Sequence, residues 1–378
     1  MDTTKLRTWA EISSSAIERN AREILGALPE GCGLIGVVKA HGYGHGAATA
    51  AHALRRAGCR FFAVACCEEA LSLRQAGITD SILILSAVDA TRAAEMADND
   101  ISLAVECLEK AVALSRNLRC GQRLKIHIKL DTGMGRIGFA AGEDAGIEAA
   151  AEAAQQPGLV PEGIFTHFAV SDMPGGETYT RGQFALFCMA ADAVEYLSGK
   201  RFAMRHCSNS GAVLSYRKEG FPLSAVRPGL LLYGVYPEEE HGGLSLIPAM
   251  TLRSRVAVIT HHKQGDTVSY GRTWTAERDC TLAVIPIGYA DGLQRALSGK
   301  LEVAIRGRRV KQVGRICMDC CMLDVTDVPD AAVGDEVTIF GCGDSGELTV
   351  AEVATLAGTI PYEILCGISP RVPRLTVD

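Results

Sequence analysis

Lys39 stands directly after the apolar run "GLIGVV" and directly before "AHGYGHG", a loop holding three glycines, two histidines and a tyrosine. An amine at an apolar strand end is partly desolvated, which disfavours its charged form and frees the lone pair to attack a carbonyl. Further along, Lys129 and Asp131 close "LKIHIKLD", His167 closes "EGIFTHFA", Ser208, Asn209 and Ser210 follow "MRHC", and Arg227 stands in "SAVRPGLLLYG". The segments "SNSGA" and "RPGLL" offer hydroxyls and glycine-exposed backbone N–H groups, the donors that hold a phosphate. A nucleophilic lysine plus a phosphate cradle points to pyridoxal 5'-phosphate. Singly, each piece has a plainer reading, since a strand-end lysine is commonly solvated and "SNSGA" commonly a helix cap. Their convergence favours a site.

Convergence requires elements that bring the pieces together. Between residues 30 and 235 short apolar runs alternate with Ala-rich segments of helical period: "GLIGVVKA", "RFFAVAC", "SILILSA", "ISLAVE", "LKIHIKLD", "EGIFTHFA", "MRHCSNS" and "SAVRPGLLLYG" read as eight strands. Segments such as "AATAAHALRRAG" and "CEEALSLRQAG" read as helices, with Glu68 and Glu69 as partners of a helix N-terminal dipole. Strands apolar on both faces and separated by helices imply a buried parallel sheet, and eight units imply a closed (β/α)8, TIM-like barrel with its site at the C-terminal ends of the strands. From about residue 244 the texture becomes β-branched runs broken by Gly and Asp turns, as in a mainly antiparallel β domain. The expected division is 1–243 for an α/β barrel and 244–378 for the β domain, with "RTWAEIS" able to pair into the latter sheet.

The remaining composition narrows the class. The chain has 378 residues, a net charge of −6 and no basic stripe, so it lacks the footprint of a nucleic-acid binder. It has no apolar leader and no run near the roughly 18 apolar residues of a membrane span, so a cytoplasmic protein is expected. Fourteen cysteines without a secretion signal read as reduced thiols, and "CMDCC" lacks the second pair a zinc ribbon needs, so no metal is expected. His41 and His45 read as loop histidines outside the chemistry.

The motifs "VVKAHGYGHG", "KLDTGMGRIGF", "THFAVSD", "SNSGA", "VRPGLLLYGVYP", "SYGRTW", "IPIGYADG", "GRICMD" and "PYEILCGISPRVPR" occur in order over nearly the whole chain. In these the chain resembles the fold-type III, pyridoxal-phosphate-dependent alanine racemases. The resemblance implies that Lys39 holds the cofactor and is one catalytic base, and that Tyr270 is the other, reached across a head-to-tail homodimer. It assigns cofactor contacts to Tyr43, His167, Asn209, Ser210, Arg227, Gly229, Leu230 and Tyr362. Substrate contacts fall to Arg136, Met318, Asp319 and Tyr289, and Lys129 matches a lysine often carbamylated in the family. The implied activity interconverts L- and D-alanine for cell-wall peptidoglycan. The alternative is a serine-preferring or dual racemase of the vancomycin-resistance type, against which Tyr362 is retained. His41 and Gly42 depart from the usual Asn/Asp-Ala after the lysine.

These roles have a physical rationale. Racemisation takes a proton from one face of a plane and returns one to the other, so two bases must flank it. A guanidinium donates a hydrogen bond to a pyridine nitrogen without readily giving up its proton, which weakens the ring as an electron sink and discourages transamination.

Overall fold

The computed structural model describes residues 5–221, 223–237, 242–343 and 346–378. Eight parallel strands, Gly33–Val37, Phe61–Val64, Ser81–Ile84, Ile101–Val105, Leu124–Asp131, Leu159–Phe165, Met204–His206 and Ala225–Val226, pair in chain order, and the eighth pairs back onto the first. The sheet is therefore a closed barrel, as the sequence pattern implies. Every residue of Phe61–Val64 is buried, because one face meets the barrel interior and the other the surrounding helices. The helices Ala47–Arg56, Cys67–Gln75, Ala93–Asp98, Leu108–Arg116, Asp144–Ala154 and Glu177–Ser198 lie on the segments read as helical.

The eighth unit differs from the expected strand and helix. Only Ala225–Val226 of "SAVRPGLLLYG" pairs, and Leu230–Tyr233 coils into a 3-10 turn. The place of the eighth helix is taken by Ser14–Gly26, a helix the sequence reading left unassigned, which packs against Ala47–Arg56 and the Leu230–Tyr233 turn. Ser13 caps it by accepting from the Ala16 N–H at 3.0 Å, and Ala16, Ile17, Asn20, Ala21 and Ile24 form its buried stripe. Buried Asn20 is fully used: it donates to the carbonyls of Leu232 (3.2 Å) and Ile247 (2.8 Å) and accepts from the Ile247 N–H at 2.8 Å. Losing such a partner inside the fold costs about 1–3 kcal/mol.

The second sheet has nine strands in the order Val258–His262, Cys280–Ile285, Cys321–Asp324, Arg308–Val313, Glu302–Ile305, Glu336–Phe340, Met250–Arg255, Thr8–Ser13 and Arg374–Val377. It is antiparallel except where Thr8–Ser13 runs parallel to Arg374–Val377. The residues of "RTWAEIS" thus belong to this sheet, and the chain crosses to the barrel only at Ser14. Among the described residues no helix is long and apolar enough to cross a membrane.

Candidate active site

The first barrel strand ends at Val37, and Lys39 opens a single left-handed helical turn. Ala40, His41, Gly42, Tyr43 and Gly44 all have positive φ, from 51° to 81°. L-residues resist this conformation by about 1–2 kcal/mol each, which falls here on Ala40, His41 and Tyr43. Hydrogen bonds offset the strain. The Gly42 N–H donates to Val38 O at 2.9 Å, Gly44 N–H to Ala40 O at 3.0 Å and Gly46 N–H to His41 O at 2.8 Å. His45, buried against the Tyr233 ring at 4.4 Å, donates from Nδ1 to the carbonyls of Tyr43 (2.9 Å) and Gly42 (3.1 Å). Both partners are carbonyls, so Nδ1 carries the proton. His45 is therefore a brace for the turn.

Glu69 completes the brace. Its carboxylate accepts from the Ala40 N–H at 2.6 Å and the Ala65 N–H at 2.8 Å, tying the Lys39 turn to the end of the neighbouring strand. Glu68 instead pairs with Arg92 outside the site. The two glutamates, which share one reading in the sequence, have separate jobs. The clue lay in barrel order: the helix after strand two starts beside the end of strand one.

The turn opens into a cavity of about 620 Å³ whose wall includes Lys39, Tyr43, Lys129, Arg136, His167, Asn209, Ser210, Arg227, Gly229 and Tyr362. Burial, then the nearby Arg136, pulls the Lys39 ammonium below its ordinary pKa, only partly opposed by Glu69. Lys129 is 2 % exposed, donates to Leu130 O at 2.7 Å, and is brought down to about 7 by burial and by Arg227. Burial and Arg227 likewise hold His167 neutral, well below its ordinary range. Arg227, brought to about 10 by burial, remains a cation at neutral pH. It donates to His206 Nδ1 at 2.7 Å, to Thr166 O at 2.7 Å, to Cys207 O at 3.1 Å and to His167 Nδ1 at 3.3 Å.

Also on the wall, the Ser210 hydroxyl accepts from the Gly229 N–H at 3.0 Å. A Cβ at Gly229 would stand 2.2 Å from the Tyr43 hydroxyl, so glycine is what lets that phenol approach. The Tyr43 ring packs between Tyr233 (5.2 Å) and Tyr362 (5.9 Å). Leu230 begins the 3-10 turn after Gly229 with its side chain in the core. Asn209 lines the cavity, yet its carboxamide is occupied: it accepts from the Ala212 N–H (3.1 Å) and the Ser171 hydroxyl (2.7 Å), and its amide faces Phe168 O at 3.4 Å. It caps the helix Ser210–Tyr216.

Tyr270, Tyr289, Met318 and Asp319 do not line this cavity. They sit on loops of the β domain, with Tyr270 72 %, Met318 53 % and Tyr289 43 % exposed. The loops are laced together: Tyr289 N–H donates to Cys317 O at 3.1 Å, Ala290 N–H to Met318 O at 3.0 Å, and the Ser269 hydroxyl to Arg315 O at 2.8 Å. Asp319 pairs with Arg371 at 2.7 Å. One chain therefore presents two separate groups of residues, a cavity at the barrel mouth and an exposed ledge on the β domain.

Comparison with known proteins extends over the whole chain. Residues 12–237 match the family model "Alanine racemase, N-terminal domain" and residues 249–376 match "Alanine racemase, C-terminal domain". The alanine racemase of Desulfovibrio desulfuricans is 44 % identical over 372 residues, covering 98 % of both chains, and that of Desulforamulus reducens 42 % over 374 residues, again 98 % of both. The solved structure of alanine racemase from Clostridium difficile 630 superposes with a TM-score of 0.93 at 37 % identity, covering 99 % of this chain and 96 % of that one. The Bacillus anthracis alanine racemase with bound L-Ala-P has a TM-score of 0.91 at 35 % identity, covering 98 % and 95 %.

Proposed function

The chain belongs to the alanine racemase family and is an isomerase, and on that premise we propose that it interconverts L- and D-alanine with two bases, Lys39 from the barrel mouth and Tyr270 from a second copy. The observation that carries this reading is the split itself. Lys39 lies in a cavity that also holds Arg136, His167 and Arg227, whereas Tyr270, Met318 and Tyr289 stand in solvent on the same chain. A head-to-tail homodimer brings the ledge of each copy over the mouth of the other.

The mouth fits pyridoxal phosphate. Its lining offers a desolvated amine in Lys39, a cationic donor in Arg227, and the Ser210 hydroxyl beside a glycine-opened backbone. Lys39 would hold the aldehyde, Tyr43, Ser210, the Gly229–Leu230 backbone and Tyr362 the phosphate, and Arg227 the ring nitrogen. Bound there, the cofactor supplies the electron sink that makes an amino acid's α-proton labile. Arg227 keeps its own proton, so a ring nitrogen facing it is met by a hydrogen bond rather than a transferred proton. Lys39, with its charged form disfavoured, takes or returns a proton on one face. Tyr270 serves the other face.

Arg136 has no ion pair among the described residues and lies close enough to Lys39 and Lys129 to lower both pKa values. It is the candidate for the substrate carboxylate, with the Met318 backbone and Tyr289 approaching from the second copy. A carbamate on Lys129, formed from its neutral amine, would supply Arg136 with a fixed anion. Tyr362 fills space that a hydroxymethyl group would need, which favours alanine over serine, and D-alanine is a product suited to peptidoglycan. The test is to mix two inactive variants, Lys39→Ala and Tyr270→Phe, under conditions of subunit exchange. Shared sites restore activity, because each hybrid dimer has one site with both bases intact. Exchange without restored turnover sinks the reading.

A further inference from the structure

Arg227 is a buried cation with no carboxylate in contact among the described residues. Its counter-charge is reached instead through two imidazoles set edge-on to each other inside the barrel. His206 Nδ1 faces Arg227 at 2.7 Å, His206 Nε2 faces His127 Nδ1 at 2.8 Å, and His127 Nε2 faces the Glu162 carboxylate at 3.1 Å. The same Glu162 oxygen accepts from the Ser102 hydroxyl at 2.7 Å. Both imidazoles are fully buried, and Glu162 reaches solvent only in part, its side chain 23 % exposed.

The backbone is shaped for this chain of contacts. Strands Leu124–Asp131 and Leu159–Phe165 run in register until Ile126 lies opposite Pro161; His127 then lies opposite Gly163, and Glu162 is left without a strand partner. This one-residue slip is a bulge, a device rare in parallel pairs, and it turns the Glu162 carboxylate toward His127. Gly163 makes the room, since a Cβ there would stand 2.3 Å from His127 Nδ1. Bulge and glycine together serve an imidazole that does not line the cavity.

We propose that Glu162 and His127 are positioning residues for Arg227, fixing the direction of every proton in the chain so that His206 presents a bare acceptor nitrogen to the guanidinium. Arginine has no acceptor, so His206 Nδ1 must accept, which leaves the proton of neutral His206 on Nε2. That proton points at His127 Nδ1, so His127 carries its own on Nε2 and donates it to ionised Glu162. If Glu162 held a proton and donated, each ring would flip its tautomer, and His206 would set an N–H against an Arg227 N–H. The charge on Glu162 thus decides the polarity at a distance of three residues. Burial keeps both imidazoles neutral, and although burial also works to raise the Glu162 carboxyl, hydrogen bonds from His127 and Ser102 outweigh it and hold it below its ordinary pKa.

The proposal deepens the racemase reading in what it says Arg227 faces, but its core is testable without cofactor or turnover. Long-range proton–nitrogen NMR on imidazole-labelled protein, cofactor-free and loaded, reads which nitrogen of each ring is protonated, with signals assigned through His127→Asn and His206→Asn. The expected result at neutral pH is a proton on Nε2 alone in both His127 and His206. Glu162→Ala should mix the tautomers, lower kcat about tenfold, the effect of one lost buried hydrogen bond, and leave KM nearly unchanged. Glu162→Gln retains an amide oxygen that accepts from His127, and should restore the single tautomer and most of kcat. A proton on Nδ1 of either ring in the wild-type protein overturns the proposal, and that measurement stands even if the alanine variant fails to fold. So does a Glu162→Ala protein with unchanged tautomers and kcat. Absent racemase activity with the expected tautomers would instead count against the function reading alone.

Discussion

At the barrel mouth Lys129 and Arg227 are buried, Lys39 and His167 are half-buried, and burial shifts each of them toward its neutral form. On the β-domain ledge Tyr270, Tyr289 and Met318 stand in solvent. Both regions nevertheless hold their central residue with left-handed backbone. Lys39 is followed by Ala40, His41 and Tyr43 at φ of 51° to 56°, and Tyr270 is flanked by Ser269 at 69° and Arg272 at 50°. Strain of this kind persists only where surrounding contacts over-determine it. At the mouth those contacts are Glu69 and His45; on the ledge they are the Ser269 hydroxyl bond to Arg315 O and the close approach of Gly314, where a Cβ would meet Ser269 Cβ at 2.7 Å. The difference lies in solvation: the residues that line the cavity are tuned by burial, while those of the ledge are held rigid but left open to solvent.

The largest effect separates the halves outright. Under the proposed two-base reading Lys39→Ala removes cofactor attachment and a base together, so turnover should fall by at least about ten-thousandfold, and borohydride reduction followed by mass spectrometry should leave the chain unlabelled. On the same reading Tyr270→Phe removes only a proton carrier, and the expected loss is about 10²–10⁴-fold with full cofactor content. Loss of cofactor from the tyrosine variant would break the division between mouth and ledge.

A smaller effect tests how the mouth is braced. Glu69→Ala strips two backbone N–H groups of their acceptor, which should cost about 1–3 kcal/mol locally. Hydrogen exchange at Ala40 and Ala65 should accelerate while exchange around Tyr270 stays as in the wild type. Equal acceleration at both places would show that the carboxylate supports the fold generally rather than the turn.

The smallest effect concerns Lys129. Its amine, lowered to about 7 chiefly by burial, is neutral above that pH and charged below it, and only the neutral amine takes up carbon dioxide. With labelled carbon dioxide, a carbamate signal on Lys129 should grow as pH rises through about 7 and fade as it drops, and a modest gain in turnover should follow it. A signal independent of pH across that window would count against a buried, desolvated amine.

The alternation of apolar strands and Ala-rich helices was legible as a barrel because that pattern is local, and strand ends could be read as a list of mouth residues for the same reason. Other features depended on contacts between distant segments. Helix Ser14–Gly26 occupies the eighth position because the second sheet begins at Thr8 and delivers the chain beside Leu230–Tyr233. Nothing in "AHGYGHG" announces a left-handed turn over a run that includes alanine, histidine and tyrosine; Glu69, 29 residues on, helps to hold it. Asn209 carries a polar amide to the cavity wall, yet the Ser171 hydroxyl and the helix it caps claim its oxygen.

The chain by itself determined the residue types and their order: a lysine at an apolar strand end, a serine and a glycine in segments able to donate to a phosphate, an arginine at a strand end, a tyrosine in a second domain. Periodicity and side-chain chemistry are properties of the sequence, so those conclusions need no coordinates. Only the tertiary structure decided which groups share a solvent-poor cavity and which remain in water, and that a bulge turns Glu162 toward His127. Desolvation, proton direction and backbone strain are set by neighbours far away in the chain, and folding alone assembles those neighbours.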